Sequence, residues 1–320
     1  MNDDYLWDRT GKPDAELACL EEVLSTLSWS NRQRKPRFTA PTRNRRSAVL
    51  WIAAAAVLLL AGGSAIFVGR MKTRSLTSWQ LVVSGGKPQL MHTGQVVETA
   101  GDVRGSIESQ FVGRVEIEPD SRLRLLAANG DKQRLALDRG TIHALIWAPP
   151  AKFIVNTPGA KAVDLGCKYT LQVGKNGAGL LTVEMGWVAF QWHGIESFIP
   201  AGAACATTPG HGPNTPYFLD ASPDFKNAVA EFDAHGTRQA LESALAVARA
   251  RDGLTLWHLL QRTHAQERGE VFDRLAELVP VPQGVTRDAI LRGDRSSLDA
   301  VWNALGLGDT SWWREWKREW

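Results

Sequence analysis

The sequence predicts a membrane-anchored, multidomain chain: a single transmembrane helix, an all-β domain built as a sandwich, a barrel or a short β-solenoid, and a small C-terminal α-helical bundle. Three observations predict it. Ser47–Val68 runs without a charge. Short period-two alternations separated by turn residues recur from about 79 to 205. Beyond Asp224 the apolar residues change to a spacing of three and four. The 320 residues suffice for about two folded domains besides the span.

The span comes first. A helix over Ser47–Val68 rises ~33 Å, enough for a hydrocarbon core of ~30 Å. A secretory signal would start near residue 1, not after a long polar stretch. The span is placed at 47–69. Its N-terminal flank carries Arg32, Arg34, Lys35, Arg37, Arg43, Arg45 and Arg46, and its C-terminal flank only Arg70, Lys72 and Arg74. This asymmetry puts the N-terminus in the cytoplasm. The basic flank is also suited to anionic lipid headgroups.

Residues 1–46 form the cytoplasmic segment. Its carboxylates all precede position 23, and Pro13-Asp14 opens an apolar series at Leu17, Leu20, Leu24 and Leu27. That spacing puts the four leucines on one helical face, with Asp14 as N-cap. So short a helix is marginal alone in water, so the leucine face calls for a partner.

Residues 70–220 are assigned to the β-domain. Val115 and Ile117 alternate with Glu116 and Glu118; Tyr169, Leu171 and Val173 with Lys168, Thr170 and Gln172; Val188, Phe190 and Trp192 with Ala189, Gln191 and His193. Turn signals stand at Pro119-Asp120, Asn129-Gly130, Gly140, Pro149-Pro150, Pro158-Gly159, Gly177, Gly186 and Gly194. The stretch 200–216 reads as a Gly/Pro-rich connector. Residues 221–320 are read as the helical region, with faces at Leu241, Leu245 and Ala248, at Leu256, Leu259 and Leu260, at Phe272, Leu275, Ala276 and Val279, and at Leu298, Val301, Trp302 and Leu305. Trp312, Trp316 and Trp320 share a face of a last helix, suited either to the protein's own bundle or to a partner or membrane interface.

The chemistry-bearing residues are sparse. No zinc spacing, P-loop, GxSxG or HExxH motif occurs, and the seven histidines are scattered. No metal, no cofactor, no direct nucleic-acid contact and no conventional enzyme activity is expected. Asp164 and Asp138 read as turn or hydrogen-bonding carboxylates. Cys167 and Cys205 fall on the extracytoplasmic side, where a disulfide between them is permitted; two buried thiols are the alternative.

Four stretches in order, GRVEIEPDSRLRLL (113–126), RLALDRGTIHALIW (134–147), FIVNTPGAKAVDLGCKYTLQV (153–173) and GLLTVEMGWVAFQW (179–192), resemble the FecR domain of transmembrane regulators of extracytoplasmic-function sigma factors. The N-terminal DYLWDRTGKPD with its leucine helix, and the Trp-rich tail, resemble the corresponding parts of a subgroup. The resemblance implies an inner-membrane, single-pass signal transducer. Its cytoplasmic segment binds a sigma factor, here through Leu17, Leu20, Leu24 and Leu27. Its periplasmic domain receives a signal, in the best-known cases from an outer-membrane transducer. A membrane-anchored periplasmic binding or scaffold module without a sigma-factor partner is the competing expectation. In some family members a Gly-Thr bond cleaves itself; Gly166-Cys167 stands at the similar position, and a thiol is the stronger nucleophile.

Overall fold

The computed structural model describes residues 78–130 and 132–308. The cytoplasmic leucine face (Leu17, Leu20, Leu24, Leu27), the span at 47–69 and the tail with Trp312, Trp316 and Trp320 lie outside the described residues. Among the described residues no helix is long and apolar enough to cross a membrane.

Among the described residues sixteen strands come first: β1 (Gln80–Val83), β2 (Gln89–Leu90), β3 (Val96–Glu98), β4 (Gly105–Ser109), β5 (Gly113–Ile117), β6 (Arg122–Asn129), β7 (Lys132–Ile146), β8 (Phe153–Asn156), β9 (Lys161–Asp164), β10 (Lys168–Val173), β11 (Gly179–Met185), β12 (Trp187–Trp192), β13 (Ile195–Pro200), β14 (Ala203–Thr208), β15 (Gly212–Pro213) and β16 (Tyr217–Phe218). The long strand β7 organises them. Its second half lies between β5 and β10, in a ladder that runs β2, β1, β4, β5, β7, β10, β11, β14. Its first half lies between β6 and β8, in a ladder that runs β3, β6, β7, β8, β9, β12, β13. Every pairing is antiparallel except β7 with β8. A solenoid would stack parallel rungs, so of the expected alternatives the solenoid is set aside. The described β-part is an antiparallel structure whose two ladders share one strand.

Gly140 marks the point where β7 passes between ladders. It has φ +97, and a Cβ there would fall 2.2 Å from Ser121 Oγ. The close approach is used: Ser121 Oγ accepts the Thr141 amide at 2.9 Å. Only glycine offers both the backbone conformation and the space.

The alternations seen in the sequence fall as expected in β5 and β10. Val115 and Ile117 are buried while Glu116 is exposed, and Tyr169, Leu171 and Val173 are buried while Lys168 is exposed. In β12 the alternation fails: Ala189 and Gln191 are buried as well as Val188 and Phe190. The strand is paired on both edges, by β9 and β13, and covered on both faces. The expected connector at 200–216 is also corrected. Its glycines and prolines mark turns, and the run between them, Ala203–Thr208, is a strand paired to β11, β15 and β16. Its small side chains Ala203, Ala204 and Cys205 are buried.

Six α-helices follow among the described residues: α1 (Pro223–His235), α2 (Arg238–Val247), α3 (Gly253–Arg262), α4 (Ala265–Leu278), α5 (Arg287–Leu291) and α6 (Arg295–Ala304). Their ends are written in the sequence. Ser222 caps α1 by accepting the Phe225 amide at 3.2 Å, Pro223 sits at the first turn, and Gly236 closes it in the left-handed conformation. Thr237, Thr286 and Asp294 cap α2, α5 and α6 in the same way. The faces predicted for α2 and α3 are buried, as are Leu298, Val301 and Trp302 of α6, while Leu305 lies past the end of α6 and is half-buried; in α4 Val271, Phe272 and Leu275 are buried, Val279 is half-buried and Ala276 is exposed.

The helices do not make a core of their own. α3 is buried along most of its length, and its Trp257 and His258 meet Trp302 of α6 at centroid distances of 4.6 and 6.1 Å. Trp302 in turn meets Trp187 of β12 at 5.7 Å and Phe198 of β13 at 6.1 Å. One continuous set of buried side chains runs from Trp79 to Trp302.

Candidate functional site

Two places combine buried polar chemistry with access or reactivity. The first is the turn from β9 to β10. Asp164 ends β9 with its side chain 1% exposed. Its Oδ1 accepts the Gly166 amide at 2.7 Å, and its Oδ2 accepts the Cys167 thiol. The short side chain of Asp bridges its own backbone two residues on, as in an Asx turn, and Gly166 supplies the positive φ, +89, that the turn needs. The turn is held from outside by Gly186. A Cβ on that residue would lie 2.1 Å from the Gly166 carbonyl oxygen. Tyr169, two residues on, is buried, and its hydroxyl has no hydrogen-bond partner among the described residues.

Burial dominates the electrostatics of this turn. It raises the Asp164 carboxyl to about 7, against smaller opposing effects of the hydrogen bonds from Cys167 and Gly166. The Cys167 thiol is pushed far up by burial and then by the neighbouring Asp164 carboxylate. Tyr169 is raised for the same reasons. Near neutrality Asp164 is therefore a carboxylate poised to exchange a proton, in contact with a neutral thiol beside the Gly166 carbonyl. The sequence singled out Gly166 and Cys167 and took Asp164 for a turn residue. It is that, and it also holds the thiol; its spacing of three from Cys167 was the available signal.

Cys205 is elsewhere. Its strand, β14, is separated from β10 by β11: Leu181 faces Leu171 on one side and Cys205 on the other. Cys205 donates to the Asn214 carbonyl at 3.0 Å. The expected Cys167–Cys205 bridge is not formed; both are free and buried. An intervening strand puts them beyond the Cα separation a disulfide tolerates.

The second place is a cleft of about 710 Å³ between β13, β15 and the helices α1, α3 and α6. Phe198, Phe232 and Trp257 give it apolar walls, and Glu196, Arg262 and Arg295 give it charge. Asp233 and Arg262 form its inner polar pair, 3.6 Å apart. Asp233 also accepts the Thr215 amide at 2.7 Å and hydroxyl at 2.6 Å, and Arg262 donates to Ser197 Oγ at 2.6 Å. Burial raises Asp233 and lowers Arg262, and each partly offsets the shift of the other. Sequence reasoning missed this pair, because Asp233 and Arg262 are distant in the chain and each looks like one more charge on a helix. Among the described residues no group of three His, Cys, Asp or Glu side chains is placed to hold a metal ion.

No family model matches the chain, and no curated protein matches it. Among solved structures it is similar to a candidate anti-sigma factor from Parabacteroides distasonis, known at 1.65 and 2.50 Å resolution, with 13% identity and a TM-score of 0.35 in both cases. The match covers 43% of this chain and 65% or 64% of that one, so this chain spans less than two thirds of its length. At that TM-score the likeness is too slight to define fold or function.

Proposed function

We propose that the chain is a FecR-type transmembrane regulator of an extracytoplasmic-function sigma factor, anchored in a bacterial inner membrane with its β/α unit in the periplasm. The observation that carries this reading is the motif set between 113 and 192. Its four stretches fall on β5 to β12, strands joined to one another through β7, β9 and β10. They lie within one folded element, which supports the reading. The uncharged span and the basic flank supply the route inward, and the leucine face supplies a surface for the sigma factor. The 710 Å³ cleft offers room in the periplasmic unit for an incoming ligand or peptide.

The test is co-purification from membranes of the full chain. A sigma factor should accompany the wild type and be lost with Leu20→Asp plus Leu24→Asp, while membrane retention is unchanged. A chain that recruits no sigma factor, or recruits it equally with both aspartates, overturns this reading and favours the periplasmic scaffold.

A second reading is favoured by the contact of Cys167 with Asp164: self-cleavage at Gly166-Cys167. The Cys167 sulfur attacks the Gly166 carbonyl carbon as its proton passes to Asp164. The Gly166–Cys167 C–N bond breaks, and the amine leaves with a proton returned from Asp164. Water then hydrolyses the thioester, leaving a Gly166 carboxylate and an N-terminal Cys167 with its thiol restored. Denaturing gels of purified chain should show fragments 1–166 and 167–320, abolished by Cys167→Ala and slowed by Asp164→Asn. A single full-length band in the wild type rejects this step.

A further inference from the structure

The solvent face of the β2-to-β11 ladder carries one unbroken cross-strand row at one end. Leu90 faces Gln80, Gln80 faces Glu108, Glu108 faces Arg114, Arg114 faces Leu145, Leu145 faces Lys168, and Lys168 faces Met185. All seven are exposed. Strands are spaced ~4.8 Å apart, so a row over six strand spacings is ~29 Å wide.

Two aromatic side chains stand just past this row. Trp147 follows β7 and is 49% exposed; Phe111 lies in the β4–β5 turn and is 50% exposed. They are tied to one place, because Trp147 donates its backbone amide to Val112 at 3.0 Å and its indole Nε1 to Gln110 at 2.9 Å. Of the nine large apolar side chains exposed among the described residues, five (Leu90, Phe111, Leu145, Trp147 and Met185) gather at this end. The charges among them are matched in pairs, Arg114 with Glu108 at 2.8 Å and Lys168 with Glu184 at 2.6 Å. The edge is thus aromatic and aliphatic with paired charges, the composition suited to the boundary between headgroups and acyl chains.

The position of this edge in the chain says what faces it. Gln80, a member of the row, is two residues from the first described residue. Eight residues separate the end of the candidate span at 69 from Ser78. Fully extended they reach ~30 Å, so the bilayer that holds the span lies within that distance of the end of the ladder where the apolar side chains are exposed. We propose that this edge, led by Trp147 and Phe111, rests on the outer surface of the inner-membrane bilayer and orients the periplasmic unit on it. The proposal rests on the transmembrane reading given above. It also places the Gly166–Cys167 turn, which precedes Lys168 of the row, at the membrane-facing end, and the β10–β11 turn at the opposite end.

The test uses the full chain with Cys19→Ser, since Cys167 and Cys205 are buried. A nitrobenzoxadiazole fluorophore is attached at Trp147→Cys, at Phe111→Cys or, in the far turn, at Lys175→Cys, and each chain is reconstituted in phospholipid vesicles. Thermal melts exclude a variant that has lost its fold, and two edge positions guard against the failure of either. The expected result is a blue-shifted emission at 147 and 111 that is quenched by spin-labelled lipid, with water-like, unquenched emission at 175. Equal water-like emission at all three positions in a chain that resists carbonate extraction overturns the membrane contact, keeps the span, and leaves the edge to a protein partner. A chain released by carbonate overturns the transmembrane reading and the proposal with it.

Discussion

His258 Nε2 accepts the backbone amide of Phe198 at 3.1 Å, while its Nδ1 donates to the Leu254 carbonyl at 2.9 Å. One imidazole on α3 thereby closes an orphan donor on β13, and it does so only when neutral. Burial holds its pKa down to about 3, with a smaller contribution from the nearby Arg262 charge. The unfolded chain takes up a proton near 6.5 and the folded chain does not. His258 thus contributes stability that is complete above 6.5 and is lost as pH falls toward 3, with a limiting slope of about 1.4 kcal/mol per pH unit. Urea titrations of wild type and His258→Gln across pH 3 to 7 should show this acid limb only in the wild type. Equal slopes for the two would mean that the imidazole is not held neutral.

Asp164 works in the opposite direction. Its folded pKa is raised to about 7 from an ordinary 3.8. The folded chain keeps a proton that the unfolded chain has lost. Its contribution is complete below 3.8 and disappears as pH rises through 7. The stability of wild type relative to Asp164→Asn should therefore fall across that window by at most about 1.4 kcal/mol per pH unit. Because the windows of His258 and Asp164 overlap with opposite sign, the wild-type curve alone is flattened between about 4 and 6.5; the two variants resolve it. A pH-independent difference for Asp164→Asn would show that the carboxyl is ionised throughout.

Much of this architecture was legible in the sequence, and the exceptions share a cause. Alternation located β5 and β10 because each has one solvated face; it misread β12, where Gln191 is buried and donates to Glu196 at 2.7 Å. The 200–216 stretch looked like a connector because alanine and cysteine carry little strand signal beside glycine and proline. The helical faces were visible, yet the surface they would cover was not. That Trp302 meets Trp187 and Phe198, and that Arg262 finds Asp233 and Ser197, are long-range facts that no local period encodes. At the β9–β10 turn the sequence supplied Gly166 and Cys167, but the role of Asp164 follows from burial, which spacing does not report.

The two described thiols should be silent in the native chain. Burial pushes Cys205 up to about 12 and Cys167 higher still, so neither supplies thiolate near neutrality. With Cys19→Ser, an aromatic disulfide reagent at pH 8 should release two equivalents only at the rate of unfolding, and mobility on denaturing gels should not change with reductant. Protection of both thiols from the reagent even in denaturant, relieved by reductant, would establish the bridge that the strand order excludes.

Gly186 and Gly194 offer a controlled comparison. Both have positive φ, +74 and +86, but a Cβ at Gly194 meets nothing within 4 Å, whereas at Gly186 it meets the Gly166 carbonyl oxygen at 2.1 Å. Gly194→Ala should cost only the left-handed backbone penalty, about 1–2 kcal/mol. Gly186→Ala adds displacement of the Gly166–Cys167 turn and should cost at least about 3 kcal/mol. Equal losses in denaturant titrations would show that the turn yields freely to the new methyl group.

Trp302 decides whether the helices are a domain or a lid. Its side chain is fully buried against Trp257 of its own helical region and against Trp187 and Phe198 of the β-part. A separate bundle would melt by itself, and its loss would leave the strands folded. A shared core has no such freedom, since removing the indole opens a cavity that both parts line. Trp302→Ala should therefore lower stability by about 3–5 kcal/mol in one cooperative transition, with far-UV helix signal and near-UV tryptophan signal lost together. Two separated transitions, with only the helical one shifted by the substitution, would establish the bundle as an independent domain resting on the β-part.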